Sequence, residues 1–134
     1  MSSFPDVTFL GVDTMARTIY GEARNQGFYG KVAVGFVIRT RSEERKLTVS
    51  QVCLQPLQFS CWNIGDPNRD IVRGVSLNDR AFVECYGIAC LVLTGNLSNP
   101  VPGANHYHTL GVKPYWSDKM VTIKIIGSHR FLKG

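Results

Sequence analysis

Apolar residues return at helical spacing in several stretches of the chain. Between Val12 and about Arg24 they occupy Val12, Met15, Ala16, Ile19 and Tyr20. This predicts an amphipathic helix whose first turn is served by Asp13 or Asp6. A second helix is predicted over Tyr29 to Thr40, turning Val32, Ala33, Phe36 and Val37 inward. A short helical turn follows Thr48 or Ser50. The segment Leu57 to Asn68 carries Gly65, Asp66 and Pro67 and reads as loop. The clearest helix spans about Leu77 to Thr94, with Phe82, Cys85, Tyr86, Ala89 and Leu93 on one face. Ser76 suits its N-cap, Asp79 its first turn and Gly95 its stop.

Asn96 to Asp118 holds Pro100, Pro102, Gly103, Gly111 and Pro114 and reads as one long irregular stretch. Such stretches in small domains are functional or disordered, and the histidines and aromatics here argue against disorder. Val121 to Ile126 alternates Val121, Ile123 and Ile125 with Thr122 and Lys124, the period of a strand. Gly127-Ser128 is a turn signal, after which His129 to Leu132 returns as a second strand. The expected fold class is α+β, mostly helical with a small C-terminal β-hairpin. The 134 residues suit one compact domain, residues 1–134.

Composition narrows the function classes. Hydrophobic residues at 44% and charged residues at 19% exclude a disordered chain. No apolar run approaches the roughly 20 residues of a membrane span, so no stable membrane insertion is expected. Met1 to Leu10 contains no Lys or Arg and no long apolar segment follows, so no signal peptide is expected. The net charge of +5 favours an acidic partner such as nucleic acid, anionic lipid or the bacterial wall. Arg39, Arg41, Arg45 and Lys46 cluster loosely, but Glu43 and Glu44 intervene, and the run reads as a solvated helix end. Cys53, Cys61, Cys85 and Cys90 form no C-x-x-C pair and read as buried thiols, with a Cys53–Cys61 disulfide left open.

With only ten acidic residues, a candidate acid can be sought by elimination. Asp6 and Asp13 sit near a helix start, Glu43 and Glu44 in the charged run, and Asp66, Asp70, Asp79 and Asp118 in loops or a first turn. Glu84 is offset by two residues from Phe82 and Tyr86 and faces outward. Glu22 differs. Met15, Ile19 and Glu22 are spaced i, i+4, i+7, so the carboxyl lies on the apolar stripe of its helix. Burial and the carbonyl-rich helix end both favour the protonated form, which suits a general acid. Gly21 would let a ligand approach the backbone closely. The competing reading pairs Glu22 with Arg17 or Arg24.

The segment Met15-Ala-Arg-Thr-Ile-Tyr-Gly-Glu-Ala-Arg24 resembles the opening motif of the SleB/CwlJ-type cell-wall hydrolases. Gly30-Lys-Val-Ala-Val34, Gln58-Phe-Ser-Cys-Trp-Asn63, Gly103-Ala-Asn-His-Tyr-His108, Pro114-Tyr-Trp116 and Ile126-Gly-Ser-His129 continue the resemblance in the same order. It spans about residues 12 to 131. It implies a compact lysozyme-like domain that cuts peptidoglycan between N-acetylmuramic acid and N-acetylglucosamine, with the family's essential glutamate at Glu22. Asn105 departs from the pattern, standing where Thr is common before the His-Tyr-His. With no wall-binding repeat beside it, the domain looks like a phage endolysin, held in the host cytoplasm before release to the cell wall or periplasm.

Gln58, Ser60 and Trp62 bring an amide, a hydroxyl and an indole together, the mixture that binds sugars; Phe59 is expected to pack the core. His106, Tyr107 and His108 are candidates to orient glycan or move protons, and two of the three share a face if the segment is extended. His129 reads as a hydrogen-bonded core residue. Trp116 and Tyr115 are candidates for a groove wall or for core. His106-x-His108 and the cysteines match no common zinc spacing, so no metal and no cofactor is expected. No second acid has a claim beside Glu22. With the resemblance, that favours a lytic transglycosylase over a hydrolytic muramidase. A monomer is expected. Two other classes compete: a non-catalytic glycan-binding module, and a nucleic-acid binder, though no helix carries a dense basic stripe.

Overall fold

The computed structural model describes residues 7–134. Five helices and three strands follow in order: α1 (Phe9–Ala23), α2 (Phe28–Arg45), α3 (Val49–Leu54), α4 (Pro67–Gly74), α5 (Arg80–Leu93), β1 (His106–Thr109), β2 (Val121–Ile126) and β3 (His129–Lys133). Single 3-10 turns at Ser60–Trp62 and Tyr115–Lys119 link them. The class is the expected α+β. Among the described residues, no helix is long and apolar enough to cross a membrane.

Helix α1 runs through the middle of the helical layer and packs on α5, α3, α2 and α4. Met15, Ala16 and Ile19 on its stripe are fully buried. Burying Met and Ile contributes about 1.5–3 kcal/mol each, enough to fix the roll of the helix and with it the direction of Glu22. Its cap differs from expectation. The Thr8 hydroxyl accepts from Gly11 N at 2.9 Å, while Asp13 pairs with Arg17 at 2.8 Å; Asp6 lies outside the described residues. Gly21 is also required by close packing. A Cβ there would stand 2.6 Å from Cys61 Cβ and 2.7 Å from Val72 Cγ1, so the glycine lets the Ser60–Trp62 turn and α4 close onto α1.

Helix α2 extends five residues beyond Thr40, because Arg41 and Ser42 continue the buried stripe of Val34, Val37 and Ile38. It ends at Lys46, in the left-handed region at φ +55°. Helix α3 starts with a reciprocal cap: Gln51 N donates to Thr48 Oγ1 at 3.1 Å and Thr48 N to Gln51 Oε1 at 2.8 Å. The expected loop over 57–68 instead holds the Ser60–Trp62 turn and the start of α4, capped by Asp66, whose carboxylate accepts from Asn68 N at 2.8 Å. Helix α5 is capped by Asp79 and not by Ser76. The Asp79 carboxylate takes Phe82 N at 3.1 Å and the Tyr20 hydroxyl at 2.9 Å. Those bonds, that of Phe82 first, hold its pKa below the usual carboxylate range. Glu84 faces outward as expected and pairs with the buried Lys31.

The hairpin is part of a three-stranded antiparallel sheet of order β1-β3-β2. Strand β1 arises inside the stretch read as irregular and pairs His106 with Leu132 and Tyr107 with Phe131. A bulge between Thr122 and Lys124 breaks the alternation of β2, leaving Val121 and Ile125 exposed and Ile123 and Ile126 half-buried. Gly127 takes the positive φ (+56°) that a two-residue hairpin turn demands.

The four cysteines are free, with Cys53, Cys61 and Cys85 buried and Cys90 half-buried. Burial pushes the thiols of Cys53 and Cys85 up to about 12 and raises that of Cys61 as well.

Candidate active site

Glu22 lies half-buried in the last turn of α1. Neither arginine proposed as its partner reaches it. Arg17 is bound to Asp13 and to the carbonyls of Val72 and Val75, and Arg24 to the Tyr20 carbonyl and Asn68 Oδ1. The carboxyl is held from across the molecule instead. The Tyr107 hydroxyl donates to Oε1 at 2.6 Å. Ser60 Oγ and Cys61 N donate to Oε2 at 3.4 and 3.3 Å. One oxygen is thus firmly tied and the other only loosely held.

Two hollows meet at Glu22. The first, of about 390 Å³, is lined by Arg41, Gln58, Ser60, His106, Tyr107 and Trp116 together with Glu22 and Leu57. The second, of about 270 Å³, is formed by Gly21, Arg24, Asn25 and Asn68 together with Glu22. Among the described residues, Glu22 is the one carboxyl that lines either hollow.

Strand β1 splits its side chains between two faces. His106 and His108 both pack on Trp116, with ring centroids 5.4 and 5.9 Å away. Tyr107 points the other way and lies among Phe59, His129 and Phe131. Burial, followed by the charge of Glu22, pushes the Tyr107 hydroxyl well above 10, so it stays a donor. His106 and His129 are pushed below the usual histidine range by burial. His106 is further lowered by the cations Arg41 and Arg45.

The sequence candidates therefore divide. Gln58, Ser60, His106, Tyr107 and Trp116 share the cavity of Glu22. Trp62 does not line it: its indole N–H donates to Thr18 Oγ1 at 2.9 Å and its ring borders a neighbouring hollow. His108 is buried, with Nδ1 bonded to the Thr109 carbonyl at 2.8 Å. Phe59 packs the core and Tyr115 points to solvent. His129 is buried, but its Nδ1 has no partner. Among the described residues, no three His, Cys, Asp or Glu side chains gather as a metal-binding group.

Arg41 corrects the reading of a solvated helix end. It is buried, lines the Glu22 cavity and stacks over Phe59 at 5.0 Å. Its Nε–H goes to the Asn105 carbonyl at 2.7 Å and its Nη1 has no partner. The spacing i, i+4 from Val37 was the available signal, since it puts a cation on the apolar stripe. Asn105 is the second residue that the motifs undervalued. Its Oδ1 accepts from Gly134 N at 3.0 Å, and its Nδ2 donates to Glu44 and to the Gly134 carbonyl. With Oδ1 fixed as an acceptor, the 2.7 Å contact from His106 Nδ1 is a donated N–H. Nε2 of His106 is then left as an acceptor. Asn105 thus orients both Arg41 and His106.

The fold matches two solved structures at 26% identity. The catalytic domain of the Bacillus cereus SleB protein matches with a TM-score of 0.72, covering 94% of this chain and 91% of that one. The catalytic domain of the germination-specific lytic transglycosylase SleB from Bacillus anthracis matches with a TM-score of 0.71, covering 94% of this chain and 96% of that one. No curated protein matches significantly. The family model described as Cell Wall Hydrolase matches residues 25–132, a segment that begins just after Glu22. By that match over most of its length, the chain belongs to the cell wall hydrolase family.

Proposed function

We propose that this protein is a lytic transglycosylase that cuts the peptidoglycan glycan strand after N-acetylmuramic acid, with Glu22 as the only acid and base. The observation that carries this reading is the lone carboxyl shared by two hollows among the described residues. A hydrolytic glycosidase works with two carboxyl groups flanking the bond, about 5–9.5 Å apart. Among the described residues, no second carboxylate lines either hollow.

A single group suffices if the substrate supplies its own nucleophile. Glu22 gives its proton to the glycosidic oxygen as the C1–O4 bond breaks through an oxocarbenium-like state. The 6-hydroxyl of the same muramic residue then attacks C1, and its proton returns to Glu22. No water is consumed, and the product carries a 1,6-anhydro end. The loosely held Oε2 is the oxygen free to carry that proton, because Oε1 is taken by Tyr107. The Arg41 guanidinium, in the same cavity, favours the carboxylate left after donation. The Bacillus anthracis structure is named as a lytic transglycosylase, which supports the assignment.

Mass spectrometry of digested peptidoglycan tests it. Anhydro-muramic ends are expected, whereas products that have gained water overturn the lytic route in favour of a muramidase. We also assign the protein the role of a monomeric endolysin that acts on the wall of a bacterial host. The surplus of +5 supports this by drawing it to the anionic wall. Lysis of cells whose inner membrane has been permeabilised is the expected result, and intact turbidity would count against it.

A further inference from the structure

A third hollow, of about 620 Å³, lies next to the Glu22 cavity, and Leu57 is the wall common to both. Leu57 is 81% exposed and sits in the left-handed region at φ +64°, a conformation that costs a branched side chain energy and recurs at binding sites. The apolar lining of the hollow includes Leu54, Trp62 and Ile64, and the indole of Trp62 is anchored by its bond to Thr18. Arg69 and Arg73 line the hollow as well. These are i, i+4 neighbours on α4, so both guanidinium groups project from one stripe. No acidic residue lines this hollow, and among the described residues neither arginine forms an ion pair.

We propose that this hollow holds the peptide stem of the muramic residue being cut. The assignment rests on the reading of Glu22 as the group that cuts the glycan. Muramic acid bears its peptide on the 3-O-lactyl group, so a strand seated at Glu22 must send a peptide away from the cleft within one sugar's reach of the carboxyl. Leu57 is the ridge it would cross. Wall stems carry alanine methyl groups and free carboxylates. Apolar lining residues beside two arginines free of ion pairs complement both features.

The test compares two substrates with the same glycan: stem-bearing strands, and strands stripped of peptide by an amidase. Arg69→Ser combined with Arg73→Ser alters a half-buried and an exposed position on α4, neither of which lines the Glu22 cavity. The double variant is expected to lose about three- to tenfold in kcat/KM on stem-bearing strands and nothing on stripped ones. Equal loss on both substrates, or loss on neither, overturns the stem site while leaving the cleavage reading intact. Dissociation of a dimer in the double variant, with unchanged rates, would assign the hollow to self-association and likewise overturn it. A wild-type protein that cuts neither strand would overturn the cleavage reading and the stem site together.

Discussion

The hydroxyl of Tyr107 on strand β1 donates to Oε1 of Glu22 at the end of α1, at 2.6 Å and across 85 residues of chain. That bond joins the sheet to the helical layer at the reacting group. It also makes the two oxygens of the carboxyl inequivalent.

Glu22→Gln keeps the shape of the side chain and removes the transferable proton. Digestion of purified wall should fall by at least about a thousandfold, with a circular dichroism spectrum like that of the wild type. Unchanged turnover would remove Glu22 from the chemistry.

Tyr107→Phe removes only the hydroxyl. A hydrogen bond to a charged group contributes about 1.5–3 kcal/mol, so a drop of roughly ten- to a hundredfold in kcat is expected. KM should change less, because the bond orients the acid and does not grip the glycan. A loss confined to KM would argue that Tyr107 touches substrate instead.

Arg41→Met strips the cavity of its guanidinium and leaves the Asn105 carbonyl without its 2.7 Å donor. Leaving that acceptor unsatisfied should cost about 1–3 kcal/mol in urea denaturation. The activity loss should exceed the stability loss when both are measured well below the unfolding midpoint. Arg41→Lys, which keeps charge without the guanidinium fork, should recover part of the rate. Failure of Lys to do better than Met would mean that the charge itself is idle.

Gly21→Ala should destabilise the protein by about 1–3 kcal/mol, since the new methyl meets Cys61 and Val72 below 3 Å. A denaturant midpoint equal to the wild type would show that the Ser60–Trp62 turn can yield.

Stability should fall on acidification. His106 and His129 both have pKa values pushed below 6.5, mainly by burial, so each is more readily protonated in the unfolded chain. Their contribution is present in full above the unfolded pKa of about 6.5 and is lost as pH falls through the folded values. Urea midpoints measured from pH 8 to pH 5 should show the decline, and His129→Gln should flatten it. A midpoint that rises toward pH 5 would contradict the assignment.

Much of this was legible in the residues alone, and the failures share causes. Glu22 stood out because a carboxyl on the stripe of Met15 and Ile19 conflicts with its surroundings. Arg41 presents the same conflict on the stripe of Val37, but neighbouring charges at Arg39, Glu43 and Arg45 made it look like part of a solvated run. Helix α4 was hidden because Gly65-Asp66-Pro67 reads as a turn, although Asp66 and Pro67 are also the N-cap and first residue of a helix. Strand β1 is too short to announce itself, and it exists because β3 offers a partner. The bond from Tyr107 to Glu22 follows from that pairing, so local pattern could not reveal it. Trp62 was misplaced because an indole can serve either core or groove, and the Thr18 hydroxyl that decides between them lies 44 residues away.

The cysteines carry a last consequence. With no bridge to form, and with the sulfurs of Cys53, Cys61 and Cys85 buried and held protonated, the folded body needs no oxidant to reach its shape. Disulfide-forming and disulfide-shuffling catalysts therefore have nothing to do in its folding.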